Sequence, residues 1–246
     1  MRADHPCLVR QTSGVNSESD ACVDHQLLCT SVTTPRRSAL KLFAVAGAAV
    51  TASAGSTATA SAGSVADVIM MIRHGEKPPD SGQPFGIDAN GEQDSSSLTT
   101  RGWSRAGALA ELFAPGVSGT IRKGLCVPDA IYATTPTDTK HHRMMQTVTP
   151  VAAKLGRSVN TDFGLNDTDA VAAALSRLSG ATLVSWEHNE IPMIAAALDS
   201  VSPTPPSSWP DDRFDLVWVF TRTGPGWAFT QVPQLLLDGD SAVPIA

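Results

Sequence analysis

Two short runs dominated by apolar residues, set far apart in the chain, most constrain how it can fold. They are Val65–Ile72 and Ala181–Trp186. Runs of this length and composition are typical of strands buried on both faces of a parallel sheet. Each run is followed by a polar segment that contains a histidine, His74 after the first and His188 after the second. Because ligands bind at the carboxyl ends of strands in such sheets, both histidines are candidate site residues.

Segments with helical periodicity alternate with strand-like runs between and beyond these two. Thr99 or Thr100 is predicted to cap a first helix that reaches Phe113, and Pro150 to kink or divide a second helix that ends before Gly156. This second helix spans 143–155, and the remaining predicted elements are helices at 170–178 and 191–198 and strands at 129–134, 214–221 and 227–237. The alternation predicts one α/β domain over residues 67–246, a three-layer α/β/α sandwich with a mostly parallel central sheet.

Residues 1–66 differ from the rest and are predicted to be a leader. The paired Arg36 and Arg37 precede a weakly hydrophobic stretch, 42–55, and a tract of Ser, Thr, Ala and Gly that runs to Ala66. This pattern resembles a twin-arginine export signal of a bacterial host, with small residues at the cleavage positions around Ala60. The alternative is a membrane anchor, since 42–66 carries no charge, but many of its residues are Gly, Ser or Thr. We therefore expect the twin-arginine machinery to export the protein to the periplasm or medium, with no stable membrane insertion after cleavage.

The predicted domain carries a net negative charge, which limits the kinds of molecule that it can bind. Residues 67–246 contain 13 Lys and Arg against 20 Asp and Glu, a net charge of −7. This balance argues against nucleic acid or an anionic membrane as the main partner. Basic groups that bind a phosphate must then form a local cluster within an acidic protein.

The residues after the first apolar run are suited to phosphoryl transfer. Arg73 precedes His74, and Gly75 follows it. A histidine nucleophile must be neutral, and a neighbouring arginine disfavours its protonated form while binding phosphate through forked hydrogen bonds. A glycine lets the backbone approach the phosphate closely, and a carboxylic acid must protonate the leaving oxygen. His74 is therefore a candidate phosphoryl acceptor.

Several ordered motifs accompany these residues. The first, Ile69–Lys77, contains the Arg-His-Gly loop, and the later ones follow at 98–106, 131–134, 143–150 and 185–192. In order and spacing they resemble the histidine phosphatase superfamily, which has the phosphoglycerate mutase-like fold. The resemblance covers most of residues 65–200.

The resemblance implies a role for each matching residue. His74 corresponds to the nucleophile that becomes phosphohistidine, and Arg73 and Arg143 correspond to the phosphate-binding arginines. His188 corresponds to the second histidine, which donates a hydrogen bond to the phosphate, and Gly75 matches the glycine of the loop. The segment before Arg143 is longer than the compact motif and offers Lys140, His141 and His142 as further groups that could face the pocket.

The motifs do not fix the proton donor. Glu190 lies two residues after His188, and Asp167 and Asp169 lie in a segment that can fold over the site. Glu190 and Asp167 are our two candidates for the acid, whereas Glu76 is expected to support the loop.

The predicted activity is that of a metal-independent phosphohydrolase. It would cleave small phosphomonoesters through a phosphohistidine intermediate, with no cofactor and no metal. The alternatives are a phosphotransferase like phosphoglycerate mutase and a non-catalytic module that binds a phosphorylated ligand. Specificity is expected from the loops 77–97 and 114–126, which carry no cluster of basic residues for a polyphosphate.

Overall fold

A computed structural model describes residues 66–246, so the predicted export signal lies outside the described residues. Its four helices are α1 (Thr100–Phe113), α2 (His142–Leu155), α3 (Thr168–Leu175) and α4 (Ile191–Ala196). Its seven strands are β1 (Val68–Arg73), β2 (Ala130–Ala133), β3 (Val159–Asn160), β4 (Ala181–Trp186), β5 (Val201–Ser202), β6 (Leu216–Thr223) and β7 (Gly226–Pro233). They form one sheet in the order β3-β2-β4-β1-β6-β7-β5.

The sheet separates two apolar cores, and two helices cover each of its faces. Side chains alternate along β1, so that Met70 and Ile72 pack in the core shared with α1 and α2. Ile69 and Met71 pack in the core shared with α3 and α4. This arrangement confirms the predicted three-layer α/β/α sandwich.

The direction of the strands brings the two histidine segments together. The pairs β1–β4, β2–β4, β2–β3 and β5–β7 are parallel, whereas β6 runs antiparallel to β1 and β7. The predicted mostly parallel sheet is therefore confirmed. In the register of β1 and β4, Arg73 lies opposite Trp186, and the amide of His74 donates to the Trp186 carbonyl at 3.1 Å. The residues that follow β1 and β4 thus emerge side by side at one edge of the sheet.

The helix signals of the sequence account for most of the observed helix ends. Thr99 is the N-cap of α1, and its side-chain oxygen accepts a hydrogen bond from the amide of Gly102 at 3.2 Å. Gly156 ends α2 in the left-handed conformation, with φ 62°. Pro150 does not divide α2, because it removes one backbone hydrogen bond while Val148 and Val151 on either side stay fully buried in the core.

The helices of residues 66–246 are all too short or too polar to cross a membrane.

Candidate active site

His74 lies directly after β1, and only 2% of the residue is exposed. Its Nδ1 is 2.7 Å from the carbonyl oxygen of Gly75. Because a carbonyl oxygen only accepts, Nδ1 carries the proton, and Nε2 of the neutral ring keeps its lone pair. Burial and the charges of Arg143 and Arg73 lower the pKa of His74 to about 3. The ring is therefore neutral at physiological pH, and Nε2 has the lone pair that a nucleophile needs.

Arg73, the last residue of β1, is fully buried beside His74. Its Nη1 donates to the carbonyls of Pro210, Asp211 and Arg213 at 3.1, 2.6 and 3.2 Å, and its guanidinium lies 3.9 Å above the ring of Phe214. Burial lowers the pKa of Arg73 to about 10, so the group stays charged. Its Nε and Nη2 have no hydrogen-bond partner within residues 66–246. Two charged donors are thus open to an anion.

Arg143 reaches the same edge of the sheet from the first turn of α2. Its Nη1 donates to the carbonyl of Ser95 at 3.1 Å, and its buried Nε has no partner in the described part of the chain. Burial lowers the pKa of Arg143, and its charge in turn helps to lower the pKa of His74. Arg73 and Arg143 therefore flank His74, each with open N–H groups.

His188 lies after β4, and each of its ring nitrogens faces a carboxylate. Nδ1 pairs with Oε1 of Glu187, and Nε2 is 2.5 Å from Oδ1 of Asp211. The amide of Asn189 also donates to Glu187 at 2.8 Å. Although burial opposes it, hydrogen bonds from His188 and Asn189 lower the pKa of Glu187 to about 2. Glu187 is therefore an ionised group that holds the His188 ring in place.

Glu187 also links the separate parts of the site. Its negative charge partly offsets the lowering of the pKa values of Arg73, Arg143 and His74. All three groups therefore lie within electrostatic reach of one carboxylate. The structure therefore brings together the predicted His74, Arg73, Arg143 and His188. A neutral imidazole among buried cationic donors is an arrangement that can bind and accept a phosphoryl group.

Comparison with known proteins finds similarity in fold. The structure resembles the protein histidine phosphatase SixA, solved with tungstate, at 17% identity and a TM-score of 0.46, over 68% of this chain and 97% of that one. It also resembles Bacillus stearothermophilus YhfR, at 15% identity and a TM-score of 0.41, over 71% of this chain and 98% of that one. A mycobacterial glucosyl-3-phosphoglycerate phosphatase is similar at 15% identity and a TM-score of 0.38, over 68% of this chain and 98% of that one.

No protein-family model and no curated protein sequence matches the chain. The function proposed below therefore rests on the geometry of the site.

The loop after His74 is held by close packing against α1 and α2. The amide of Gly75 donates to Oγ1 of Thr147 at 2.8 Å. A Cβ on Gly75 would lie 3.0 Å from the carbonyl oxygen of Gly102, and one on Gly102 would lie 2.7 Å from the carbonyl oxygen of Glu76. The structure thus gives Gly75 a packing role and engages its amide, and its contact with a phosphate stays a prediction.

The two predicted proton donors are the N-cap residues of α3 and α4. Glu190 is the N-cap residue of α4, and burial together with the charge of Glu187 raises its pKa. Asp167 is exposed before α3, where its carboxylate accepts a hydrogen bond from the amide of Gly164 at 2.7 Å. Within residues 66–246, neither carboxylate forms a hydrogen bond or ion pair with His74, Arg73, Arg143 or His188. Their catalytic role stays a prediction.

The basic segment before Arg143 is divided between the site and the surface. His142 lies 3.1 Å from a carboxylate oxygen of Asp94 and 2.7 Å from the carbonyl oxygen of Thr137, so both of its ring nitrogens are engaged. His141 adopts the left-handed conformation, with φ 65°, and its pKa is lowered by burial and by the charges of Lys140 and Arg143. The charges of Arg143 and Glu187 act on His141, so this histidine lies on the side of the site, and its contact with a ligand stays a prediction.

Two residues that touch His188 are absent from the predicted site. Glu187 lies between the end of β4 and His188, within the motif at 185–192. Its position at the carboxyl end of a predicted strand is the sequence feature that could have identified it as a site residue. Asp211 comes from a proline-rich loop, 203–215, that gives no sequence signal of a site. Only the fold places this loop against Arg73 and His188.

A cleft of about 440 Å³ adjoins the site on the side of Arg143. The loop that follows β1 supplies most of its wall, including Lys77, Asp80, Phe85 and Gln93. Residues of the loop 77–97 thus line this cleft beside Arg143, and the role of the loop in specificity stays a prediction. In the described residues, no group of three or more His, Cys, Asp or Glu side chains is arranged to hold a metal ion.

Proposed function

We propose that this protein is a histidine phosphatase that hydrolyses small phosphomonoesters through a phosphohistidine intermediate, without a metal. One observation carries the proposal. His74 is neutral, with the lone pair of Nε2 available, and the two arginines beside it have buried N–H groups without a partner. Unpaired buried charged donors are costly, and a tetrahedral oxyanion supplies the acceptors that they lack.

In the first half of the reaction, Nε2 of His74 forms a bond to phosphorus. The bond from phosphorus to the leaving oxygen breaks, and its electron pair goes to that oxygen, which takes a proton from a carboxylic acid. In the transition state, negative charge is spread over the three equatorial oxygens of the phosphoryl group. These oxygens accept hydrogen bonds from Arg73, Arg143 and His188. The two arginines supply the positive charge for which other phosphatases use a metal ion.

In the second half, water attacks the phosphoryl group on His74. The oxygen of water bonds to phosphorus, its proton returns to the carboxylate, and the electron pair of the nitrogen–phosphorus bond returns to Nε2. Phosphate is released, and the histidine is neutral again. Burial keeps His74 unprotonated throughout a wide pH range, so it can re-enter the cycle without losing a proton first.

The two alternative activities fit the site less well. A mutase must keep water away from the phosphohistidine, but the side chain of Asp211, which contacts His188, is 83% exposed. A module that only binds a phosphorylated ligand needs the arginines but has no use for a neutral histidine with a free lone pair between them.

Hydrolysis of para-nitrophenyl phosphate by the full chain tests the proposal. We expect phosphate release that is unaffected by a chelator and lost in His74→Ala, with His142→Ala as a matched control in a histidine that lies outside the site. Activity that survives His74→Ala would refute the assignment of the nucleophile. A wild-type chain that binds phosphate but hydrolyses no member of a panel of phosphomonoesters would instead support the binding module.

We also propose that the protein is exported through the twin-arginine pathway. The proposal is supported by the pair Arg36 and Arg37 and the weakly hydrophobic stretch after it. Replacing both arginines with lysine should retain the protein in the cytoplasm of a bacterial host, as measured by fractionation. Equal export of the variant and the wild type would contradict the proposal.

A further inference from the structure

The remaining chemical question is which carboxylic acid protonates the leaving group. The candidates are Glu187 and Asp211, which contact His188, together with Glu190 and Asp167, the two donors predicted from the sequence. A general acid must first be within reach of the leaving oxygen, and its acidity matters only after that condition is met. Contacts with the phosphate-binding groups therefore come before acidity in choosing among them.

Glu187 meets the first condition but is a poor acid. Its carboxylate contacts His188, and it also accepts hydrogen bonds from the amide and the side-chain nitrogen of Asn189, at 2.8 and 3.3 Å. Donors on both carboxylate oxygens favour the ionised form, and the pKa of Glu187 is about 2. A group held in this state positions His188 rather than giving up a proton.

Asp211 stands where a phosphate oxygen is expected to lie. Its Oδ1 is 2.5 Å from Nε2 of His188, a nitrogen that donates a hydrogen bond when it carries the proton. A bound phosphate needs that same donor. A phosphate oxygen bound to this nitrogen would take the place of the Asp211 carboxylate.

The loop that carries Asp211 is tied to the phosphate site through its backbone and not through this carboxylate. Nη1 of Arg73 donates hydrogen bonds to three backbone carbonyls of this loop, those of Pro210, Asp211 and Arg213. Arg213 is paired in turn with Asp215, at 2.7 Å. The side chain of Asp211 itself is 83% exposed. The backbone thus stays in place while the carboxylate is free to turn away from His188 and to exchange protons with water.

We propose that Asp211 is the general acid of the reaction, displaced from His188 by the incoming phosphate and left beside the leaving oxygen. This assignment rests on the proposed phosphatase activity. In the first half-reaction the proton on the Asp211 carboxyl moves to the leaving oxygen as the phosphorus–oxygen bond breaks, which leaves a carboxylate. In the second, that carboxylate takes a proton from the attacking water and is ready for the next cycle.

The proton on Asp211 comes from solvent, to which the side chain is open. In the proposed cycle, one exposed carboxylate thus occupies two successive places: beside His188, as the structure shows, and near the leaving group once substrate is bound.

The dependence of the rate on the leaving group tests this role in the full-length protein. A nitrophenolate leaves readily without a proton, whereas the alkoxide of glycerol phosphate does not. For Asp211→Asn we expect kcat/KM on glycerol phosphate to fall by about 100-fold or more, and on para-nitrophenyl phosphate by less than about 5-fold. Asp212→Asn, which changes the next residue of the same exposed loop, is the matched control and should lower neither rate by more than about 3-fold.

The other outcomes each overturn a different statement. An equal loss of both rates in Asp211→Asn would show that Asp211 only orients His188, and the acid assignment would fall. The same conclusion follows if Glu190→Gln, and not Asp211→Asn, gives the selective loss on glycerol phosphate. If the wild type hydrolyses neither ester, the proposed function fails, and the role of Asp211 fails with it.

Discussion

Among residues 66–246, two arginines are almost fully buried, Arg73 and Arg105, and they differ in what surrounds their guanidinium groups. Arg105, which is 2% exposed, is paired with Glu76 at 2.8 Å and with Asp240 at 2.7 Å, and it also donates to Gln234 at 3.0 Å. Arg73, which is fully buried, has no carboxylate within hydrogen-bond distance in the described residues, and its Nε and Nη2 have no partner.

The acidity of the two groups follows this difference. Although burial opposes it, hydrogen bonds to Asp240 and Glu76 raise the pKa of Arg105. Burial lowers the pKa of Arg73 to about 10, because the charges that face it are too distant to compensate fully. A buried arginine that is paired with carboxylates stabilises the fold, whereas one whose N–H groups have no partner can bind an anion. The presence of partners, and not burial, distinguishes a structural from a functional arginine here.

Replacing Arg105 gives the largest expected change in stability. In Arg105→Gln, Glu76 and Asp240 lose their cation inside the protein, and we expect the free energy of unfolding to fall by about 3–5 kcal/mol in denaturant titrations. Arg101→Gln is the control, since exposed Arg101 pairs with the same Glu76 and should contribute about 0–1 kcal/mol. Equal losses in the two variants would contradict the structural role of Arg105.

Replacing Arg73 should affect the reaction more than the fold. Arg73→Gln removes two donors aimed at the phosphoryl group, so we expect kcat/KM on para-nitrophenyl phosphate to fall by about 10²–10³-fold. The loss of unfolding free energy should be smaller than in Arg105→Gln, because no carboxylate is left buried without its cation. A variant with nearly full activity would show that Arg73 does not bind the transferred group.

Phosphate should stabilise the protein through Arg73. A ligand at 100 times its Kd stabilises the folded state by about 2.7 kcal/mol, and inorganic phosphate is expected to raise the Tm of the wild type accordingly. The rise should disappear in Arg73→Gln and persist in Arg105→Gln, measured at constant ionic strength. A phosphate-dependent rise of the same size in Arg73→Gln would place the anion elsewhere.

The burial of His74 predicts a loss of stability in acid. The pKa of His74 is about 3 in the folded protein against 6.5 as its ordinary value, so the unfolded chain binds one more proton between these values. The neutral His74 ring makes its full contribution to the free energy of unfolding above pH 6.5. That contribution falls by about 1.4 kcal/mol per pH unit as the pH is lowered towards 3. In His74→Asn the unfolding free energy should decline less steeply over this window. The same slope in both proteins would contradict a buried neutral histidine.

The central part of the site was predictable from the sequence, because regular strands position it. Two apolar runs became the adjacent parallel strands β1 and β4, and this alone brings His74 and His188 to one edge of the sheet. Arg143 follows from the start of α2, which packs beside the same strands. The strands β3 and β5 have two residues each, too few to show a periodic pattern, and they were not predicted.

The groups that complete the site depend on tertiary contacts that no local pattern records. Asp211 reaches His188 because Arg73 fixes the backbone of its loop, across more than 130 positions of the chain. Likewise, the sequence showed Gly75 beside the histidine but not that Gly102 of α1 lies against it. Periodicity identifies the elements that carry catalytic groups, whereas loop positions are decided by hydrogen bonds formed only in the folded chain.

The central claim is that His74 accepts the phosphoryl group, and trapping the intermediate tests it most directly. The full chain is mixed with para-nitrophenyl phosphate, quenched rapidly in alkali, in which phosphohistidine survives, and digested for mass spectrometry. We predict that the peptide containing His74 gains the mass of one phosphoryl group, with the modification on the imidazole, and that His74→Asn shows none. Turnover of the substrate with the phosphoryl group on another residue, or with unmodified His74 throughout the reaction, would contradict the claim.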